Sequence, residues 1–93
     1  MGTELQKKDI LARLKRIEGQ LRGLQRMVEN EVPCEDILTQ VSAAAAAIKK
    51  VGGVIVRTYM QECMDKTQKE PLAKREETLK GLQTAISRYI DWA

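Results

Sequence analysis

The side chains of this sequence with an evident capacity for covalent or metal chemistry are two thiols, Cys34 and Cys63. There is no histidine. That removes the commonest general base, the His-assisted nucleophile and the imidazole ligand of most zinc and copper sites. No Gly-rich phosphate loop and no CxxC pair is present. An enzyme is therefore disfavoured, a thiol oxidoreductase included, and no cofactor is expected. Two thiolates without other help can exchange sulfur with each other or share a soft metal ion.

Their spacing decides whether they can meet. Cys34 and Cys63 are 29 positions apart. On one continuous helix that is about 43 Å at ~1.5 Å per residue, whereas a disulfide needs Cα atoms within roughly 7 Å. Two thiols on one helix of one chain are out of each other's reach. An antiparallel copy of the same helix changes this. A two-fold axis near Ile48 and Lys49, midway between the cysteines, sets Cys34 of one chain beside Cys63 of the partner subunit and creates two equivalent inter-chain sites. The small residues Ala43 to Ala47 flank that midpoint, where two such helices would cross. Cys34 falls at the N-terminal end of this helix, whose dipole favours a thiolate. Cys63 falls near the other end, beside Glu62 and Asp65. Cys34 is then the attacking thiol and Cys63 the resolving one. The bland alternative is a pair of buried, inert cysteines.

The elements that must position them are helices. With no Phe and only Tyr59, Tyr89 and Trp92 as aromatics, the core rests on Leu, Ile, Val, Met and Ala, a palette that favours helix over strand. The expectation is an all-α protomer of three helices in a single domain, residues 1–93. The first helix runs from about Thr3 to Glu29. It opens on a capping box, Thr3 with Gln6, and carries Ile10, Leu14, Ile17, Leu21, Leu24 and Val28 as an apolar stripe suited to helix–helix packing. The second starts near Pro33 and runs to about Met64, with Ile37, Val41, Ile48, Val51 and Ile55 facing one way. Gly52-Gly53 costs it roughly 1 kcal/mol per residue relative to Ala, so a kink or a close contact with a partner backbone is expected there. Asp65 to Glu70 is read as a polar connection. The third helix follows from about Pro71 to Ile90, with Leu72, Leu79, Leu82, Ile86 and Ile90 on its apolar face. Trp92 docks on the bundle or frays at its end.

Charge is uneven along the chain. The net value is only +3, yet residues 7–26 hold seven basic side chains against two acidic ones, and residues 29–36 then carry four acidic ones. A basic first helix is the footprint that phosphate binding uses, although a solvated helix face has the same composition. No signal-peptide or membrane-spanning stretch is evident. The expected setting is cytoplasmic, with no membrane partner, where cysteines serve reactivity or metal binding rather than structure.

With these residues in view the sequence resembles the CsoR/RcnR family of bacterial repressors over nearly its full length. The resemblance is carried by Arg13-Leu14-Lys15-Arg16-Ile17-Glu18-Gly19-Gln20-Leu21, by Cys34 after the break, by Gln40-Val41-Ser42-Ala43, and by Tyr59-Met60-Gln61-Glu62-Cys63. It implies an antiparallel dimer assembled into a disc-like tetramer. It also implies operator binding without a helix-turn-helix, and release of DNA when the inter-chain site is loaded. Copper-sensing members of the family use two cysteines and a His four residues before the second. Here that position is Tyr59, one turn from Cys63 and facing the same site. A phenol is a poor ligand for a soft monovalent copper ion. Glu77 matches an acidic residue that supports the copper site. Nickel- and cobalt-sensing members depend on His, and formaldehyde sensors carry Pro where this chain has Gly2. The branch with two cysteines and no His is the CsoR-like sulfurtransferase repressor branch, CstR, which senses persulfides and polysulfides. The sequence resembles that branch best.

By that resemblance the expected function is a repressor of sulfide-detoxification genes. A persulfide or polysulfide inducer bridges Cys34 to Cys63 of the partner subunit through two to four sulfurs. The alternative is a copper(I)-responsive repressor using the two thiolates, and a helical interaction protein that binds no DNA is a further rival. Arg13 and Lys50 match residues important for operator binding in the family. Lys7, Lys8, Lys15, Arg16 and Lys49 either add phosphate contacts or serve surface and salt-bridge roles.

Overall fold

A computed structural model describes residues 2–92, with side chains for residues 2–90. It comprises three helices, α1 (Glu4–Glu29), α2 (Cys34–Lys69) and α3 (Leu72–Trp92). The capping box forms as the sequence predicts: Thr3 Oγ1 accepts from the Gln6 amide at 3.1 Å, and Gln6 Oε1 accepts from the Thr3 amide at 2.8 Å. The end of α1 is set before Pro33 acts. Glu31 takes a left-handed backbone, φ 54°. Its amide donates to the Val28 carbonyl at 3.1 Å, and the Val32 amide donates to that of Met27 at 3.0 Å. These two bonds make a Schellman motif with Glu where Gly is usual. A side chain in that conformation costs roughly 1–2 kcal/mol, which the satisfied carbonyls offset.

α2 is one helix of 36 residues and passes through Gly52-Gly53 without a break. It also overruns the expected end at Met64: Asp65 to Lys69 is helix, and the polar connection shrinks to Glu70 and Pro71. The reason is local. Nothing before Pro71 breaks a helix, and Pro71 forces only Glu70 into an extended conformation, φ −93°, ψ 152°. Gln61 with Asp65 at 3.3 Å and Lys66 with Glu70 at 3.6 Å add i,i+4 pairs across the added turns. Lys66 and Lys69 in the last turn suit the negative end of the dipole.

Glycine at 52 is explained by α3. A Cβ there would come within 2.5 Å of the Tyr89 ring, so only glycine lets Tyr89 lie across α2 and donate to the Lys49 carbonyl at 2.9 Å. The close contact expected at this place therefore comes from α3 of the same chain. Among the described residues nothing explains Gly53, where an added Cβ would meet only Arg57 Nη1, at an ordinary 3.8 Å.

Among the described residues α1 and α3 each pack on α2 and not on each other, so the protomer is a single layer, with extents of 59 × 28 × 14 Å. Its core is small: Ile10, Ile17 and Val51, with Ala47, Ile48, Val54 and Ile55 around them. The stripe on α1 accordingly divides. Ile10 and Ile17 meet α2, while Leu14, Leu21 and Val28 stay 44%, 46% and 61% exposed. On α3, Leu82 and Ile86 are half-buried, but Leu72, Leu79 and Ile90, expected on the buried face, are exposed. One layer of helices cannot cover both sides of itself. Among the described residues no helix is long and apolar enough to cross a membrane. The docking of Trp92 lies outside the described side chains.

Candidate thiol site and basic cleft

Cys34 is the first residue of α2 and is exposed; Cys63, two turns before the end, is buried at 5% exposure. The alternative of two buried cysteines thus fails for Cys34. Because α2 is continuous between them, about 43 Å separates the two thiols of one chain.

Cys63 lies in a cleft of about 500 Å³ between α2 and α3. Tyr59, Glu62 and Lys66 line it from α2, Glu70 from the connection that follows, and Lys74 and Glu77 from α3. Tyr59 and Glu77, singled out in the sequence, are brought together here. Glu62 accepts from the Gly2 amide. Glu70, with a side chain only 11% exposed, accepts from Thr78 Oγ1 at 2.9 Å and pairs with Lys66. The sequence reading missed Lys66 and Glu70, because it takes residues 65–70 as a loop, and Thr78 on the third helix. The i,i+4 spacing of Lys66 and Glu70 was the signal that could have found them. Burial pushes the Cys63 thiol up; Lys66 draws it down, and Glu62 and Glu70 push it up.

This asymmetry has a measurable consequence. The thiolate is the reactive species, and Cys63 forms it only at higher pH than an ordinary thiol. A brief pulse of iodoacetamide near pH 7.5 should label exposed Cys34 faster than Cys63, whose burial both shields the thiol and disfavours its thiolate. The gap should narrow as the pH climbs through the raised Cys63 value. Peptide mass spectrometry reads both sites, and equal labelling at neutral pH would contradict the assignment of attacking and resolving thiols. The sign for stability follows from the same shift. The folded state holds the Cys63 proton more tightly, so its contribution is complete below the unfolded pKa and is lost as pH rises through the folded one.

A second cleft, of about 240 Å³, forms between α1 and α2. Arg13, Arg16, Ile17 and Gln20 line it from α1, and Ala47 and Lys50 from α2. Arg13 and Lys50 are 37 positions apart, and only the packing of α1 on α2 makes them neighbours. Arg13 Nε donates to both carboxylate oxygens of Asp9 at 3.2 Å, which fixes the direction of the side chain. Gln20 had not been marked as a site residue; its place one heptad after Arg13 puts it on the same face. Lys7, Lys8, Lys15 and Lys49 do not line this cleft. At about 100° per residue, Lys8 and Lys15 lie on the far side of α1 from Arg13. Lys49 is exposed beside Lys50, and its carbonyl receives the Tyr89 hydroxyl.

A third feature is apolar. Leu21, Leu24, Val28, Ile37 and Val41 line a groove of about 540 Å³ between the end of α1 and the start of α2, close to Cys34 in sequence.

Comparison with known proteins gives consistent results. Residues 6–88 match the model of a family described as metal-sensitive transcriptional repressor. The copper-sensing transcriptional repressor RicR of Mycobacterium tuberculosis is 33% identical over 96% of this chain and 93% of its own length. The crystal structure of the copper-sensing repressor CsoR with Cu(I) from Geobacillus thermodenitrificans has a TM-score of 0.84 and 38% identity, covering 97% of this chain and 92% of that one. The nickel-responsive transcriptional regulator InrS follows with a TM-score of 0.77 and 34% identity, covering 88% and 90%.

Proposed function

Since this chain belongs to the metal-sensitive transcriptional repressor family, we propose that it binds operator DNA and releases it when an inducer joins Cys34 to Cys63 of the partner subunit. One observation carries the reading. The two thiols sit toward opposite ends of a single unbroken helix, so only a second, antiparallel chain brings them together. The uncovered leucines of α1 and the apolar groove between the end of α1 and the start of α2 supply surface for that second copy. The same surface supports a tetramer of two such dimers. The basic cleft of Arg13, Arg16 and Lys50 faces phosphate.

The inducer we infer is a persulfide or polysulfide. The Cys34 thiolate attacks the sulfane sulfur of a persulfide; the old S–S bond breaks, the donor leaves as its thiolate, and Cys34 carries the new S–SH group. Cys63 of the partner subunit then attacks Cys34 Sγ, expels hydrosulfide and closes the bridge. The sulfane sulfur is the two-electron oxidant and leaves as hydrogen sulfide, taking up the Cys63 proton. A longer sulfane chain on Cys34 leaves a tri- or tetrasulfide by the same expulsion. Tyr59 in the Cys63 cleft favours this chemistry, since a phenol adds nothing to soft-metal binding.

The second reading is copper(I) held by the two thiolates, and the named relatives weigh toward it over sulfur. Among the described residues of one protomer, no group of three or more Cys, Asp or Glu could hold a metal ion, so a copper site would also need the partner. Gel shift with the upstream region of the chain's own gene separates the readings. Polysulfide should release the DNA and convert the monomer band into a linked dimer on denaturing, non-reducing gels. Release by Cu(I) alone, with polysulfide inert, would establish the copper reading instead, and no shift at all would end both.

A further inference from the structure

Four observations meet at the middle of α2. The Tyr89 hydroxyl donates to the Lys49 carbonyl at 2.9 Å. Gly52 is held to glycine by the ring that lies over it. Lys49 directly precedes Lys50, which lines the basic cleft, and Val51, which is buried against α1. Finally, Tyr59 and Tyr89 line one small apolar cavity of about 220 Å³, and Tyr59 also lines the Cys63 cleft. Among the described residues α3 touches α2 and not α1. A change at α3 therefore reaches the basic cleft through α2, and at this seam α3 holds the residue next to Lys50. The grip falls on two consecutive glycines, where the helix is intrinsically weakest. A backbone carbonyl that accepts a side-chain hydroxyl in addition to its helical amide is a recognised cause of local bending.

We propose that Tyr89 is a positioning residue for operator binding: through the Lys49 carbonyl it sets the direction of Lys50 relative to Arg13, and it is the contact by which a change at the Cys63 cleft alters the basic cleft. The proposal rests on the thiol-switched repressor reading and names its coupling element. It has an energetic form. Tyr89 favours the DNA-binding arrangement of α2, and bridging the thiols shifts α3 and weakens that preference.

The test uses Tyr89→Phe, which removes the hydroxyl and keeps the ring, with Gly52→Ala as a second variant that displaces the ring and keeps the hydroxyl. Operator affinity is measured before and after polysulfide treatment, and the inter-chain bridge is quantified separately by mass spectrometry. In the wild type the affinity ratio between the two states should lie in the usual range of allosteric coupling, about 5- to 150-fold. Both variants should form the bridge at the wild-type rate, keep their helix content, bind the operator more weakly when reduced, and show a ratio within about twofold of one. Variants that form the bridge and retain the wild-type ratio would overturn the proposal. So would variants that lose the bridge along with helix content, because Tyr89 would then serve folding alone. If the wild type itself bridges without releasing DNA, it is the thiol-switch reading that fails, a result distinct from either of these.

Discussion

Cys34→Ser is expected to leave the repressor on its operator at polysulfide concentrations that strip the wild type from it. The ratio of affinities before and after treatment should fall from the range of about 5- to 150-fold, usual for allosteric coupling, to one. The argument is geometric before it is chemical. Cys34 is exposed at the first position of α2, and no other thiol of its own chain lies within reach. Losing it removes the first acceptor of sulfur without disturbing a core, so reduced-state affinity and thermal stability should stay at wild-type values. Cys63→Ser should also abolish induction, but at a later step: Cys34 still gains its persulfide, and the bridge to the partner never closes. That variant replaces a buried thiol with a hydroxyl, at a cost of about 1–3 kcal/mol if the hydroxyl finds no partner, so its helix content needs checking alongside. Denaturing, non-reducing electrophoresis distinguishes the wild type from both, since linked dimers should appear in it and in neither variant, and mass spectrometry separates the two by the persulfide retained on Cys34. Bridges between Cys34 and Cys63 within one chain would sink the antiparallel model, and full induction of Cys34→Ser would take the thiols out of the switch.

Arg13→Ala and Lys50→Ala should each weaken operator binding by about tenfold or more at moderate salt, on the scale of one charge-assisted hydrogen bond. Both side chains line the same cleft from different helices, so each loss should also lower the magnitude of the log–log salt slope by about 0.9 per phosphate contact. The cleft makes a sharper statement than net charge does. Lys8→Ala and Lys15→Ala remove the same charge from the opposite side of α1 and should change affinity by less than about threefold, as loss of screened long-range attraction alone would. Titration by fluorescence anisotropy at several salt concentrations measures all four. Equal losses for all four variants would mean that a diffuse basic surface, and not this cleft, holds the DNA.

Not everything in the site was equally legible. Tyr59 could be placed beside Cys63 from sequence because one helical turn fixes that relation. The Lys66–Glu70 pair beside the same thiol was hidden by the reading of residues 65–70 as a loop, an error of helix length in a stretch whose polarity suited either state. Glu31 was equally opaque: its left-handed backbone depends on two carbonyls at the end of α1 finding donors, and no property of glutamate announces it.

The sequence alone determined the helical class, the capping box at Thr3 and Gln6, the three apolar stripes and the impossibility of joining Cys34 to Cys63 within one helix. All of these follow from interactions a few residues apart or from the fixed rise of a helix. Tertiary packing alone decided which residues of the α1 and α3 stripes are covered, that Arg13 and Arg16 meet Lys50 while Lys8 and Lys15 do not, and that Gly52 serves Tyr89. Those outcomes depend on the angle and depth at which one helix lies on another. Side-chain shape across the whole contact sets that angle, and no local spacing encodes it.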